Sequence, residues 1–382
     1  SLERNSTGFK IWIHVASTAS FIKYGCALES KARDTISTIY LAEQIKYMFP
    51  LELVKEVLSL KAGKLSKSLS VAINVTTDGV ITSRTIVPSH IRVDYQIDYE
   101  DADELIELAP NEEKDLFILS KLFNKIKSLR LLNKGVNIKE IYGKFSLNRG
   151  LPIISLTEQT PSRELVSEAM IVYGNTAAQF SEKNSIPIPY RVQQIRSTKV
   201  SGVISKEISF YNKNFILKSK LNKSYYTSKA SNHVGLGLDL YTHATSPIRR
   251  YCDFLVQNQI HGYINRRKIL MEDNINQLVN IINNKGQENI QIFREDQKSL
   301  LYKWLNLNPN IYTAYLLRVI NRYKSLYLVF IEELGISTIC TIKNIDLSSK
   351  TDKLSIKFLC IENTDNLIFE CKYKEKKIKY GN

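Results

Sequence analysis

The sequence predicts an α+β fold with two domains, a larger one at 1–305 and a small OB-type β-barrel at 306–382. The opening third alternates apolar and polar residues as strands do, the middle repeats apolar residues at helical spacing, and five short β-rich runs follow residue 311. Five strands in about 65 residues are typical of an oligonucleotide-binding barrel. The 382 residues, 43% hydrophobic and 24% charged, have the composition of a soluble globular protein and exclude disordered and fibrous chains.

Strands dominate the opening third of the sequence. Residues 8–16 predict a strand, and the turn at 77–79 predicts a hairpin between strands within 70–98. The most apolar stretch, 11–22, is shorter than the ~18 residues that a membrane helix needs, and it contains the polar His14. We interpret it as a buried strand that runs into a turn, and we expect no membrane partner.

Helices and the barrel account for the rest of the chain. Residues 194–230 are rich in lysine and tyrosine without a clear pattern, which suits either a surface facing nucleic acid or a solvated loop. The predicted helices cover 101–108, a second one ending at 132, 164–180, 247–264 and 272–305. The predicted barrel strands are 311–320, 325–333, 336–342, 354–362 and 366–373, followed by a basic tail at 372–379.

The charge of the chain predicts a polyanionic partner. Lysine and arginine number 53 against 38 acidic residues, which gives a net charge of +15 at pH 7. Each neutralised phosphate releases condensed counterions, so nucleic acid is favoured over an anionic membrane surface. The five cysteines form no CxxC pair, and a metal site would need oxygen ligands, which makes magnesium the cofactor to consider. We expect no haem and no nucleotide cofactor.

One string concentrates groups that bind phosphate. Residues 235–251 read GLGLDLYTHATSPIRRY, in which Thr245 or Ser246 can cap a helix whose first turn carries Arg249 and Arg250. Free amides, the helix dipole and a guanidinium would then meet at one point. Neighbouring residues on a helix point about 100° apart, so one arginine faces a ligand while Arg250 can pair with Asp253. Taken alone, the string also fits a capped helix with surface arginines.

The string at 241–253 resembles the signature of the ribonuclease II / ribonuclease R (RNB) family of 3′-to-5′ exoribonucleases. The resemblance covers roughly 8–305, the tail fits the S1-type barrel that usually follows, and some matches resemble the cyanobacterial and plastid branch in particular. Further family motifs occur in order at 13–16, 40–41, 48–50, 58–60, 78–79, 99–101 and 164–170. The branch-specific matches lie at 99–109, 186–193 and 331–335.

The resemblance implies roles for individual residues. Arg249 matches the arginine that stabilises charge on the scissile phosphate, and Arg250 beside it is a candidate RNA contact. Tyr40 and Tyr99 match aromatic positions that orient the 3′-terminal bases, a contact that tolerates any base. Glu168 and Glu295 match carboxylates that line the RNA path or assist release. Without the resemblance, both tyrosines would be interpreted as partly buried core residues.

One family feature is missing from this sequence. In the family an aspartate cluster holds magnesium just before the strand that begins here near Gly8, so we expect that cluster upstream of Ser1 and a truncated chain. Ser17 and Thr35 also depart from the family's usual aspartate and arginine. The carboxylates at 100–107 share a helix face, but like charges on one face are usually just solvated.

We therefore predict a processive, magnesium-dependent, hydrolytic 3′-to-5′ exoribonuclease that degrades single-stranded RNA to 5′-mononucleotides. A catalytically inactive RNA-binding remnant is the alternative, and a basic nucleic-acid scaffold without enzymatic ancestry is a third interpretation, disfavoured by the retained family residues. We expect a monomer located in a plastid or in a bacterial cytoplasm.

Overall fold

The computed structural model describes residues 1–6, 8–139, 141–196, 208–345, 352–362 and 366–372. Helices are interspersed with strands whose pairing is almost entirely antiparallel, and the predicted α+β class is confirmed. The helices are α1 (Ala27–Thr35), α2 (Leu51–Leu53), α3 (Tyr99–Leu108), α4 (Lys114–Leu132), α5 (Pro161–Lys183), α6 (Phe210–Ser219), α7 (Tyr251–Ile264) and α8 (Glu272–Leu307). The strands before the barrel are β1 (Leu2–Asn5), β2 (Gly8–Ala16), β3 (Ile39–Tyr40), β4 (Ile45–Lys46), β5 (Leu65–Thr76), β6 (Ile81–Arg92), β7 (Tyr142–Asn148), β8 (Leu151–Thr157), β9 (Tyr190–Val192) and β10 (Tyr225–Thr227).

The main sheet has four antiparallel strands in the order β1-β2-β5-β6. Alternate residues of β2 face inward, and Ile11 and Ile13 pair with Ile73 and Val71 of β5. The predicted hairpin joins β5 to β6, where Gly79 adopts a positive φ of 87° that favours glycine. After β2 the chain enters a short turn, as predicted, and no described helix is long and apolar enough to cross a membrane.

Helix α5 crosses the centre of the larger domain. Its buried face packs with β2, β5 and α4 in one apolar cluster, and the hydroxyl of Tyr173 donates to the carbonyl of Leu69 at 2.9 Å. Gly174 allows the chain at Thr242 to approach closely, because a Cβ there would lie 2.3 Å from the Thr242 carbonyl oxygen. The segment that precedes α7 is thereby seated against α5.

The C-terminal strands form a closed barrel in the order β11-β12-β13-β15-β14. The five predicted runs are confirmed, because each observed strand end lies within two residues of the predicted one. Residue 373, the predicted end of the last run, and the basic tail beyond it lie outside the described residues. These strands are β11 (Ile311–Asn321), β12 (Leu326–Ile331), β13 (Ile336–Lys343), β14 (Lys353–Glu362) and β15 (Asn366–Cys371).

The barrel core extends into the larger domain. Leu300, Leu301 and Leu305 at the end of α8 belong to the same apolar cluster as the barrel interior, together with Phe145 of the β7–β8 hairpin. The domain boundary at 305 stays a prediction. The shared cluster means that α8 and the hairpin hold the barrel against the rest of the protein.

Candidate active site

A cleft of about 370 Å³ brings together two of the predicted site residues, Arg249 and Tyr40. We call it the first cleft. Its walls come from the end of β2, from the chain around β3, from α5 through Met170, and from the segment before α7. It is lined by His14, Val15, Ala16, Thr38, Tyr40, Tyr47, Val54, Leu60, Met170, Thr245, Ser246, Pro247, Ile248 and Arg249.

The segment that carries Arg249 is a turn, so the predicted helix from 247 is wrong at its start. The amides of Arg249 and Arg250 both donate to the carbonyl of Ser246, at 3.1 and 3.0 Å. Arg250 has extended backbone angles (φ −136°, ψ 122°), and α7 begins one residue later, at Tyr251. The amide of Ser246 donates to the Asp253 carboxylate at 2.8 Å, so this amide is already bonded within the protein. The predicted helix cap at Thr245 or Ser246, with both arginines in the first helical turn, is therefore wrong.

Pairing with the chain before β3 explains the extended conformation. Ser37 and Arg250 form an antiparallel bridge, flanked by a 3.0 Å bond from the Thr38 amide to the Arg249 carbonyl and a 2.8 Å bond from the Tyr251 amide to the Ile36 carbonyl. Arg249, the last residue of the turn, lines the first cleft, whereas the extended Arg250 lines a different one.

The guanidinium of Arg249 is available to a ligand. The side chain is exposed, and it donates a long hydrogen bond of 3.4 Å to the hydroxyl of Ser246. None of the carboxylates in the described parts of the chain lies within 4.0 Å of it. A free guanidinium at the mouth of a cleft can bind a phosphate through two parallel hydrogen bonds.

Tyr40 lies at the junction of the first cleft with a second one. Its ring is 38% exposed, and the ammonium of Lys144 lies 5.9 Å from the ring centroid. The adjoining loop is fixed to α8, because the amide of Ala42 donates to the Asp296 carboxylate at 3.2 and 3.3 Å. The first cleft thus contains an exposed tyrosine ring, on which a base can stack, as well as the guanidinium of Arg249.

His14 is a cleft residue that the sequence interpretation placed only within a family motif. Its Nδ1 lies 2.7 Å from the hydroxyl of Ser70, and burial lowers the pKa of the imidazole to about 4. The imidazole is therefore neutral at neutral pH. It adds a hydrogen-bonding group to the first cleft without adding charge.

Tyr99 lies in a separate cavity of about 820 Å³ at the start of α3. The guanidinium carbon of Arg163 lies 4.1 Å from its ring centroid. Val166 lines this cavity and Met170 lines the first cleft, and these two residues are one turn apart on α5. The cavity that Tyr99 lines and the cleft that Arg249 lines are thus on the same side of α5, but they are separate.

The two predicted glutamates have different environments. Glu168 is 4% exposed, and its carboxylate accepts from Arg130 at 2.5 and 3.1 Å, while another Arg130 nitrogen donates to the carbonyl of Leu236. Glu295 is exposed on α8 and accepts from Gln291 at 2.9 Å. Glu168 lines none of the described clefts, and the roles of both residues in the RNA path stay predictions.

The described residues do not fit a magnesium ion. No carboxylate is among the described residues that line the first cleft, and no group of three or more histidine, cysteine, aspartate or glutamate residues in the described ranges could hold a metal. Magnesium prefers several oxygen ligands, including carboxylates. Of the acidic group on α3, Asp103 is engaged within the protein, because its carboxylate accepts from the Ser162 amide at 2.7 Å.

The second cleft, of about 670 Å³, was not predicted. Arg250 lines it together with Tyr40, and its other lining residues come from the chain at 36–39, the β7–β8 hairpin, β9, the chain at 223–226, α7 and α8. Its position depends on how distant elements pack, which no local pattern in the sequence reveals. It is lined by Ile36, Ser37, Thr38, Ile39, Tyr40, Lys144, Arg191, Lys223, Ser224, Tyr225, Tyr226, Arg250, Cys252, Ile282, Asn283, Gly286, Gln287, Asn289, Ile290 and Phe293.

Comparison with known proteins identifies one family. A family model described as the RNB domain matches residues 1–266. An uncharacterized ribonuclease of Synechocystis sp. is 28% identical over 332 residues, which cover 86% of this chain and 50% of the relative. Ribonuclease II, chloroplastic/mitochondrial, of Arabidopsis thaliana is 30% identical over 261 residues, which cover 67% and 32%. The chain spans about a third to a half of the length of these curated relatives.

A solved structure has the same fold. Mycoplasma genitalium RNase R in complex with ribose methylated single-stranded RNA superposes with a TM-score of 0.82 at 17% identity. The superposition covers 97% of this chain and 68% of that one. The predicted barrel therefore follows the larger domain in a known arrangement.

Proposed function

The chain belongs to the RNB-domain family, and from this premise we propose that it is part of a hydrolytic, processive 3′-to-5′ exoribonuclease acting on single-stranded RNA. The observation that carries the proposal is the first cleft, where the free guanidinium of Arg249 lies in the same cavity as the exposed ring of Tyr40. A phosphate and a neighbouring base of one strand can contact both. The net charge of +15 favours such a polyanionic strand.

Arg249 acts on the phosphate that reacts. Release of a 5′-mononucleotide requires a water oxygen to bond to phosphorus while the bond to the 3′ oxygen of the remaining strand breaks. Negative charge on the non-bridging oxygens must be held during this exchange, and a guanidinium fork supplies paired donors for it. Tyr40 holds the strand by stacking, which every base accepts, so the enzyme can advance along any sequence.

The imidazole of His14 takes part without carrying charge. Because it is neutral at neutral pH, it can donate or accept one hydrogen bond at the wall of the first cleft. Burial of the cleft wall strengthens such polar contacts by lowering the local dielectric constant. We assign His14 to binding and orientation of the strand. Magnesium stays a prediction from the family resemblance, and none of these contacts uses it.

The proposed location follows the relatives. A chloroplastic/mitochondrial relative and a cyanobacterial one support a plastid or a bacterial cytoplasm. We propose that the protein acts as a monomer.

An inactive RNA-binding protein is the second candidate. The lack of carboxylates among the described lining of the first cleft favours it, since binding needs positive charge and stacking surfaces but not metal ligands. Both candidates predict that the 382-residue chain binds single-stranded RNA. They differ in whether RNA is shortened.

The test compares this chain with the protein encoded by the complete reading frame that contains it. Both are mixed with magnesium and oligoadenylate labelled at the 5′ or the 3′ end, and binding and products are measured. We expect the 382-residue chain to bind without shortening the RNA. Its affinity should fall about 10³-fold or more between 50 and 200 mM salt if six or more phosphates are neutralised.

The complete protein should release 5′-mononucleotides from the 3′ end. Internal cleavage, or release from the 5′ end, would contradict the exonuclease proposal. Intact RNA with both proteins would support the inactive candidate instead.

A further inference from the structure

The second cleft is strongly positive. Four cationic side chains line it, and no aspartate or glutamate is among its described lining residues. Positive charge in a concave site with apolar walls focuses the field and attracts anions. The four cations are Lys144, Arg191, Lys223 and Arg250.

Three of these cations are not neutralised by any described carboxylate. Arg250 pairs with Asp253, but Lys144, Arg191 and Lys223 are absent from the salt bridges among the described residues. Arg191 lies across from Tyr226 in the β9–β10 pair, with its guanidinium carbon 4.5 Å from the ring centroid. Stacking of this kind fixes the guanidinium plane while its N–H groups stay available.

Aromatic faces accompany the charge. Tyr225 is 44% exposed at the rim beside Lys223, and Tyr40 is exposed where the second cleft meets the first. The volume of about 670 Å³ lies within the range of small-ligand sites. Cations for a phosphate and tyrosines for a base are the groups that recognise a nucleotide.

We propose that the second cleft binds a 5′-phosphorylated ribonucleotide, with its phosphate on Arg191 and Lys223 and its base against Tyr225. This inference rests on the proposed function, because an RNA strand and the mononucleotides released from it both contain 5′-phosphorylated ribonucleotides. The ligand is a nucleotide within the strand that passes Tyr40, or the free mononucleotide that hydrolysis releases. The experiment distinguishes these two sources.

The test measures binding of labelled oligoadenylate and of AMP to the 382-residue chain and to three variants. Lys223→Gln removes an exposed cation of the cleft, and Arg191→Gln removes a half-buried one. Lys183→Gln is the matched control, an exposed lysine at the end of α5 that lines neither cleft. Each cleft variant should weaken binding about threefold or more and lower the slope of log K against log salt by about one.

Comparison of oligoadenylate with AMP distinguishes a nucleotide within the strand from the free mononucleotide. Weaker AMP binding in both cleft variants would assign the cleft to the free mononucleotide. Weaker oligoadenylate binding with no detectable AMP binding would assign it to the strand. If Lys223→Gln and Arg191→Gln match Lys183→Gln for both ligands, the inference is wrong while the proposed function stands. Failure of the wild-type chain to bind oligoadenylate would overturn the proposed function itself.

Discussion

The guanidinium of Arg250 lies 2.8 Å from the carboxylate of Asp253, so the second arginine of the pair is bound to the helix that it precedes. This ion pair was predicted, although the backbone that forms it is extended rather than helical. Arg249 has no such partner among the described residues, and it faces the other cleft. Two adjacent arginines thus have different surroundings, an ion pair for Arg250 and an open cleft for Arg249.

Arg250→Ala should therefore destabilise the protein, and Arg249→Ala should not. Asp253 is fully buried and would be left without its ion-pair partner. Loss of one partner of a buried pair costs about 3–5 kcal/mol, and partial exposure of Arg250 reduces this to about 1–3 kcal/mol. Urea unfolding of both variants measures the difference. Arg249→Ala should stay within about 0.5 kcal/mol of wild type, and equal losses would refute this expectation.

Glu168→Gln should lower the free energy of unfolding by about 3–5 kcal/mol, because it leaves the charge of Arg130 buried without a counter-charge. Both side chains are at most 10% exposed. Urea unfolding checks this, with the exposed Glu295→Gln as control and an expected change within about 0.5 kcal/mol. A stable Glu168→Gln protein with altered product release would instead support a role in the RNA path.

Tyr99→Ala in the RNA-degrading protein should leave a longer end product. An exonuclease releases its strand when too few contacts remain, and each stacked base contributes about 1–3 kcal/mol. Tyr99→Phe keeps the ring and should keep the wild-type end product, and the rate on long RNA should change little in both variants. A denaturing gel of a labelled homopolymer measures the final length. Wild-type lengths in both variants would show that Tyr99 stacks on Arg163 alone.

Acidification should destabilise the protein through His233. Burial and the charges of Arg191 and Arg130 lower the pKa of its imidazole to about 4, and its Nδ1 accepts from the Leu236 amide at 3.3 Å. The unfolded chain binds a proton first as pH falls below about 6.5, so the stabilisation is complete above that value and is lost towards pH 4.

Urea midpoints measured between pH 7.5 and 4.5 test this pH dependence. His233→Gln should reduce the loss of stability on acidification, whereas His90→Gln, an exposed control on β6, should leave it unchanged. His14 contributes in the same direction, because burial also lowers its pKa to about 4. If the urea midpoint stays constant when the pH is lowered from 6.5 to 4.5, the account is contradicted.

The sequence was most informative where local patterns decide the structure. Alternation of buried and exposed residues is clearest in β14, and the observed β11 to β15 follow the predicted runs closely. The β7–β8 hairpin was missed, although Arg149 and Gly150 both take positive φ at its turn. An Asn-Arg-Gly sequence between two alternating runs was the available signal.

Long-range pairing explains what the sequence did not reveal. The start of α7 was misplaced because Ser37, more than two hundred residues away, bridges Arg250 and holds it extended. Pro247 and a preceding serine favour a helix start locally, but the Asp253 carboxylate bonds Ser246 and Arg250 instead. Both clefts are likewise lined by residues that are distant in the chain, the first by residues of β3 and α5 and the second by residues of β3 and α8.

The central claim is that Arg249 contacts the phosphate that reacts, and kinetics of Arg249→Ala in the protein from the complete reading frame test it most directly. Turnover and RNA affinity are measured side by side on labelled oligoadenylate, with Arg250→Ala as control at a temperature where both variants are folded. We predict that kcat falls about 10²–10³-fold while Kd changes little, because charge on the phosphate grows in the transition state. Equal and modest losses of rate and affinity would show that Arg249 is one phosphate contact among several.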